Sequence, residues 1–318
     1  MHTHHSHSGD YVSHAVNTLN DMVELYYKKG FQIICLTEHM PRLDNKFLYP
    51  EEIDKSYTID NLNGDFTRYL NHARDLQLKY ATKDKSSSGN MKIIIGFEVE
   101  GINIDHINYS QELLNKVQMS VGSVHFVNEI PIDFNKELWL KARESTKSKT
   151  TRELYNDYFE LQYKVITQLK PTVVGHFDLI RLLQPENDID PTTGKLTKDV
   201  NLEIDWPDIW QLVIRNIKFV KLYGGLFELN SSALRKGWDT PYPKRDIANA
   251  IIEYGDSRFC LSDDAHSLSQ VGIFYSKAWE YVKSLGMENI YHLDLDDNRE
   301  VVISSKKIQE LNNSLFWK

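Results

Sequence analysis

The sequence predicts an α/β fold in which about seven strand–helix units form a parallel barrel, as one domain over residues 1–318. Two observations carry this expectation. Short apolar runs alternate with amphipathic stretches along the chain, the signature of repeated β–α units and a parallel sheet. Five of those runs are followed at once by imidazole or carboxylate clusters: Thr37-Glu38-His39, Gly96-Phe97-Glu98, Ser123-Val124-His125, Gly175-His176-Phe177-Asp178 and Asp263-Asp264-Ala265-His266. In parallel barrels the chemistry gathers on the loops at the C-terminal ends of strands. Length alone would suggest two domains, but barrels often run to 318 residues as one unit.

Taken in order, the chain opens on a His-rich segment, Met1 to His7, which supplies a short first strand. Residues 14–29 have helical periodicity and stop at Gly30. Gln32–Leu36 reads as a buried strand, 61–82 as a helix, 83–90 as a polar surface loop, and Met91–Gly96 and 118–123 as strands. A helix at 150–169 ends at Pro171, and 172–175 is the next strand. Pro185, Asp188, Pro191 and Gly194 mark 184–205 as an inserted loop. Then follow a helix at 207–222, a strand at 225–229, a helix at 243–254 and a strand at 258–262, after which helix and strand signals return.

Composition narrows the function classes. The 41% hydrophobic content is that of an ordinary globular protein. Net charge is −8 with both signs scattered and no basic block, so nucleic acid is not an expected partner. Cys35 and Cys260 lie inside apolar runs and read as buried core residues, with no disulfide scaffold. The chain starts directly on histidines, without basic and apolar leader regions, and no stretch is long enough to span a membrane. A soluble, cytoplasmic protein is the expectation. The opening differs from an expression tag because Thr3, Ser6 and Ser8 interrupt it.

The clusters read as a metal site. His2 and His4 are two apart on an extended segment, so both face one side and can grip one ion. Of the adjacent Glu38 and His39, one faces the site; His39 is preferred, with Glu38 as a packing or supporting carboxylate. Glu98, with Glu100 as a rival, could bridge two ions, the clamp of phosphate chemistry when metals lie about 3.5–4 Å apart. His125 and His176 follow apolar strands and are terminal-ligand candidates. Asp264 and His266 repeat the same-face spacing, which turns Asp263 away. Any one of these histidines alone would more often be a hydrogen-bonded structural residue. His72, His106 and His292 lack strand-end context and read as surface or core.

These stretches, together with Leu36-Thr37-Glu38-His39-Met40-Pro41, Val174-Gly175-His176-Phe177-Asp178-Leu179 and Glu228-Leu229-Asn230-Ser231-Ser232-Ala233-Leu234-Arg235-Lys236-Gly237, make a recognisable pattern. The sequence resembles the polymerase-and-histidinol-phosphatase (PHP) superfamily, and within it the PHP-type histidinol-phosphatases. The opening His4-His5-Ser6-His7-Ser8-Gly9-Asp10-Tyr11 is similar to that of fungal members. The resemblance implies a distorted seven-stranded (β/α)7 barrel holding three divalent ions, Zn, Fe or Mn. Carried onto this chain, one ion would take His2, His4, Glu98 and Asp264, and a second Glu98, His125 and His176. The third would take His39, His266 and a residue of the opening loop. Relatives often carry a histidine six positions after the H-x-H pair; here that position is Asp10, with His7 as competitor.

The activity implied is hydrolysis of a small-molecule phosphate ester, L-histidinol phosphate, in histidine biosynthesis. A water activated by the ions would attack phosphorus in line. Arg235, Arg181 and Arg42 are candidate phosphate clamps, since guanidinium grips phosphate through two donors; Arg42 and Arg181 serve equally well as rim ion pairs. Glu98, Asp264 and Asp178 are the candidate catalytic residues, Asp178 as orienter or proton donor. Asn230 supports the site, and His5 and His14 contact substrate or simply lie at the surface. Three other readings compete: a relative acting on another phosphomonoester or a nucleotide, a metal-binding regulator without turnover, and a nucleic-acid module. The residues do not fix the native metal or the oligomeric state.

Overall fold

Seven short strands, neighbours following chain order and passing over a small hairpin at 126–131, run parallel and bend into a nearly closed barrel. The computed structural model describes residues 1–82 and 91–311; the polar loop expected at 83–90 lies outside the described residues. In chain order the elements are β1 (His2–Thr3), α1 (Leu19–Lys28), β2 (Ile33–Leu36), α2 (Pro50–Asp54), α3 (Ile59–Thr82), β3 (Lys92–Glu98), α4 (Ile104–Leu114) and β4 (Met119–Gly122). A small hairpin of β5 (Phe126–Val127) and β6 (Ile130–Pro131) precedes α5 (Lys136–Ser145), α6 (Thr151–Leu169) and β7 (Val173–Val174). Then come α7 (Leu202–Asp205), α8 (Pro207–Tyr223), β8 (Leu226–Asn230), α9 (Ser232–Arg235), α10 (Arg245–Tyr254) and β9 (Phe259–Ser262). The chain ends with α11 (Tyr275–Ser284), the hairpin β10 (Asn289–Leu295) and β11 (Val301–Lys307), and α12 (Ile308–Leu311).

Alternation along each strand divides the core in two. Ile33, Cys35, Ile94, Met119, Val121, Val173, Leu226 and Cys260 pack against one another inside the barrel. Their neighbours Ile34, Leu36, Ile93, Ile95, Phe97, Phe227 and Phe259 face outward under the helices. Both cysteines are free and buried, as their apolar context predicts. Continuing the inward set past the apolar layer reaches His39, Glu98, His125, Glu228 and Asp264. The alternation that builds the core therefore also aims the polar residues into the barrel mouth.

Local signals set most boundaries. Pro207 starts α8 and Gly224, at φ +79°, stops it; Thr150 caps α6 by accepting from the Glu153 amide. Two expectations shift. The helix expected from residue 14 begins at Leu19, because Thr18 is extended and caps it by accepting from the Asp21 amide. The preceding residues form a loop tied elsewhere, with the Gly9 amide donating to the Asn17 carbonyl and the Val16 amide to that of His266. Strand β3 runs two residues past Gly96, so Glu98 lies on it.

The barrel closes without a ladder between β1 and β9. Instead Thr3 Oγ1 donates to Asp263 Oδ1 at 2.7 Å. The His7 amide donates to the Ala265 carbonyl at 2.9 Å, and the Asp264 amide to that of His5 at 3.1 Å. At the opposite end the β10–β11 hairpin places Leu293 against the inner layer. No described helix is long and apolar enough to cross a membrane.

Candidate metal centre

Glu98, 1% exposed at the end of β3, is the hub of the barrel mouth. Its Oε1 lies 3.2 Å from His125 Nε2 and 3.0 Å from His176 Nε2, and accepts from Ser123 Oγ at 2.6 Å. Its Oε2 lies 3.0 Å from His5 Nε2 and 3.3 Å from both His7 Nε2 and His39 Nδ1. Asp264 Oδ1 stands 3.5 Å from His7 Nε2, 3.8 Å from His5 Nε2 and 3.6 Å from His266 Nδ1. The two Glu98 oxygens thus serve different sets of imidazoles, as a carboxylate bridging two cations does.

Around this hub a second layer fixes ring orientation. Glu228 receives His5 Nδ1 at 2.9 Å through Oε1 and the His176 amide at 2.7 Å through Oε2. Glu100 faces His39 at 3.4 Å and His125 Nδ1 at 3.4 Å. Glu38 accepts from the Ser8 amide and hydroxyl. Carboxylates behind ligating histidines choose the tautomer and raise basicity. Gly101, at φ +61°, lets the chain turn tightly after Glu100, where a side chain would strike the Ser123 carbonyl. That close approach brings the Glu98 and His125 loops together.

The electrostatics favour positive charge at the centre. Burial alone would raise Glu98 and Asp264, yet the surrounding histidines hold both carboxyls well below their usual range. Burial alone would lower His5, but Glu98, Asp264 and Glu228 together raise it well above the usual imidazole value. Six buried ring nitrogens make no well-directed hydrogen bond among the described residues, even where a carboxylate oxygen stands 3.0 to 3.7 Å away: His5 Nε2, both of His7, His39 Nδ1, His125 Nδ1 and His176 Nδ1. Unpaired buried donors and acceptors are costly, and divalent cations satisfy such nitrogens together with the carboxylates. Four groups of three ligand atoms lie within 4.8 Å: His7, His39 and His266; His5, His7 and Asp264; His5, Glu98 and His176; and His39, Glu100 and His125. The residues fit His/carboxylate-bound metal ions.

Of the expected ligands, His39, Glu98, His125, His176, Asp264 and His266 converge here. His2, His4 and Asp10 do not. His2 pairs with Ile33, the first residue of β2, at the far end of the barrel; there it stacks on His292, ring centroids 5.4 Å apart. His4 donates Nδ1–H to the Leu261 carbonyl at 2.9 Å and accepts from the Leu293 amide at 3.0 Å. The backbone bends at His4, and only beyond it does the chain reach the mouth, where the Thr37 amide meets the Ser6 carbonyl. His5 and His7, with the same spacing three residues further on, face the mouth instead. Strand register, rather than spacing, separates the two pairs. Asp10 accepts from the Leu19 amide and is spent on the start of α1. His14 instead enters the mouth, 4.9 Å from the His266 ring and 5.4 Å from His39.

The arginines separate as well. Arg42 is buried with one guanidinium nitrogen on Glu100 and another on Glu52, and Arg181 forks onto Asp246 at 2.8 and 2.7 Å. Neither lines the cavity over the centre, and neither has its fork free for phosphate. Arg235 does line that cavity, of about 330 Å³, with its guanidinium donating to the Asp263 and Asp264 carbonyls, and Lys236 lines it too. Asp178 sits behind the wall, accepting from the Lys244 amide at 3.0 Å; burial raises its pKa against the pull of Arg181. Asp263 is turned away onto Thr3, Tyr26 and the Gly272 amide, while Asp264 takes a left-handed φ of +49° and faces His7 and His266.

The model of the PHP domain matches residues 3–232. The chain belongs to the PHP family. Over its whole length it is 36% identical to the histidinol-phosphatase of Saccharomyces cerevisiae, covering 99% of that protein. It is 38% identical to the "Probable histidinol-phosphatase" of Schizosaccharomyces pombe over 94% of this chain and 92% of that one. Among solved PHP structures, histidinol phosphate phosphatase from Lactococcus lactis, complexed with zinc, L-histidinol and phosphate, superposes with a TM-score of 0.63. It is 15% identical and covers 95% of this chain and 98% of its own, a likeness of fold.

Proposed function

We propose that this PHP chain is a histidinol-phosphatase, hydrolysing L-histidinol phosphate to L-histidinol and phosphate as one metallophosphoesterase unit. The observation that carries the chemistry is Glu98, whose two oxygens divide between two sets of histidines. The substrate follows from near-full-length similarity to proteins named for that activity, and the L. lactis relative holds zinc, L-histidinol and phosphate on the same fold.

Our reading has three ions. His5, His7, Glu98 and Asp264 would hold one, and Glu98, His125 and His176 a second. His39, His266 and His14 would hold the third. Counting six positions from His7 gives Ser13, next to His14, so the third ligand sits one residue beyond the family spacing. Zn, Fe and Mn all suit this set. Bound ions would supply an activated water and neutralise the phosphoryl oxygens. The chain's own part is positioning: Glu228 holds His5 in orientation, Arg235 and Lys236 present positive charge on the cavity wall, and Asp178 steadies the turn that carries His176.

Phosphate release from L-histidinol phosphate, beside a panel of other phosphomonoesters and on protein of measured metal content, tests this. Strong preference for histidinol phosphate with two or three metal equivalents is expected. Metal without that preference would move the function to another phosphoester.

A further inference from the structure

Four carboxylates stand on the cavity wall: Glu51, Glu98, Asp133 and Asp264. Glu98 and Asp264 belong to the metal centre, and Glu51 is paired with His14 Nδ1 at 3.2 Å. Asp133 alone is left. It is half-buried, lines the cavity, and has no hydrogen bond or ion pair among the described residues.

Its position is built rather than accidental. The β5–β6 hairpin pairs Phe126 with Pro131 and Val127 with Ile130, and the Ile132 amide continues the pairing to the His125 carbonyl at 2.9 Å. Asp133 therefore follows directly on the residue bonded to His125. On its other side Asn135 caps α5, accepting from the Leu138 amide at 2.8 Å. Asp133 shares the cavity wall with His125 and Tyr49, which come from two other segments of the chain. Next to it Phe134 is 41% exposed at the cavity mouth, with Tyr49 also on the wall.

The alcohol part of a phosphate ester held at the metal centre would share this one cavity with Asp133, Phe134 and Tyr49. A free carboxylate beside two aromatic rings suits a cationic nitrogen on a small, flat, partly apolar group. We propose that Asp133 is a specificity-determining residue that takes the cationic nitrogen of the leaving alcohol, with Phe134 and Tyr49 flanking it. This rests on the phosphomonoesterase reading above and selects, within that class, substrates whose leaving group carries a protonated amine or imidazole. Asp133 takes no part in the hydrolytic step.

The test compares wild type, Asp133→Asn and Asp133→Glu on L-histidinol phosphate and on p-nitrophenyl phosphate, whose leaving group carries no cation. Loss of one charge-assisted hydrogen bond predicts that Asp133→Asn raises KM for histidinol phosphate about ten- to hundredfold. KM for p-nitrophenyl phosphate and the metal content should be unchanged, and Asp133→Glu should recover part of the loss. Equal effects on both substrates, or none on either, would overturn the inference. A wild-type enzyme without preference for histidinol phosphate would instead sink the substrate reading. The inference is then decided with O-phosphoethanolamine against ethyl phosphate: wild type should favour the amine and Asp133→Asn should not, and equal behaviour of the two proteins overturns it.

Discussion

At the scale of single residues, Glu98 concentrates more of the site than any other side chain, since imidazoles from the opening segment and from three later strand ends meet its two oxygens. Glu98→Gln keeps the shape and removes the charge. It should lower kcat by about 100-fold or more and reduce bound metal, with the circular dichroism of the wild type; near-normal turnover would rule out the bridge. Glu98, His125 and Asp264 were legible in the sequence because each sits at an even number of positions beyond an inward apolar residue. The opening histidines were not. His2-x-His4 and His5-x-His7 are identical as spacings, and only the pairing of His2 with Ile33 shows which pair lies at the wrong end. For Arg42 and Arg181 the sequence left phosphate clamp and ion pair equally open, because the partners that decide it, Glu52, Glu100 and Asp246, stand 10, 58 and 65 residues away and leave no local pattern.

Among the elements, the C-terminal hairpin gains most from the structure. Its strand signals are weak, because β11 is largely exposed and carries Ser304, Ser305, Lys306 and Lys307. What fixes it is His4, which joins β9 to β10 through one ring, donating to Leu261 and accepting from Leu293. A neutral imidazole is required for this double role, and burial lowers its pKa to about 4. His4→Leu would leave a buried carbonyl and a buried amide unpaired, at a cost of ~1–3 kcal/mol for each. Denaturant unfolding should show that loss, and hydrogen exchange at the Leu293 amide should speed up. Unchanged protection of that amide would mean the hairpin is held by its other contacts, the packing of Leu293 and the bonds from Lys92 to Asp294 and the Leu295 carbonyl. The barrel strands, by contrast, were readable because their apolar runs are short, continuous and closed by Gly or polar residues.

For the whole molecule, the site gathers buried carboxylates, Glu98, Glu100, Glu228 and Asp264, at the closed end of a cavity. Divalent cations bound only by the folded state would stabilise it by mass action, by about 2.7 kcal/mol at a concentration a hundred times their Kd. A chelator should therefore abolish phosphatase activity and also lower the unfolding midpoint by several degrees, with both restored by added Zn or Mn. An unfolding midpoint insensitive to chelator would mean that the histidines and carboxylates balance one another without metal. The seam between β1 and β9 gives this a further meaning. Donors stand on both of its sides, His5 and His7 on one and Asp264 and His266 on the other, where no strand ladder joins them. An ion held between them would act as a clip across almost the entire chain, the long loop in which a cross-link restricts the unfolded state most. In a protein whose two cysteines are both free, an ion bound there would take the place of the staple that a disulfide provides elsewhere.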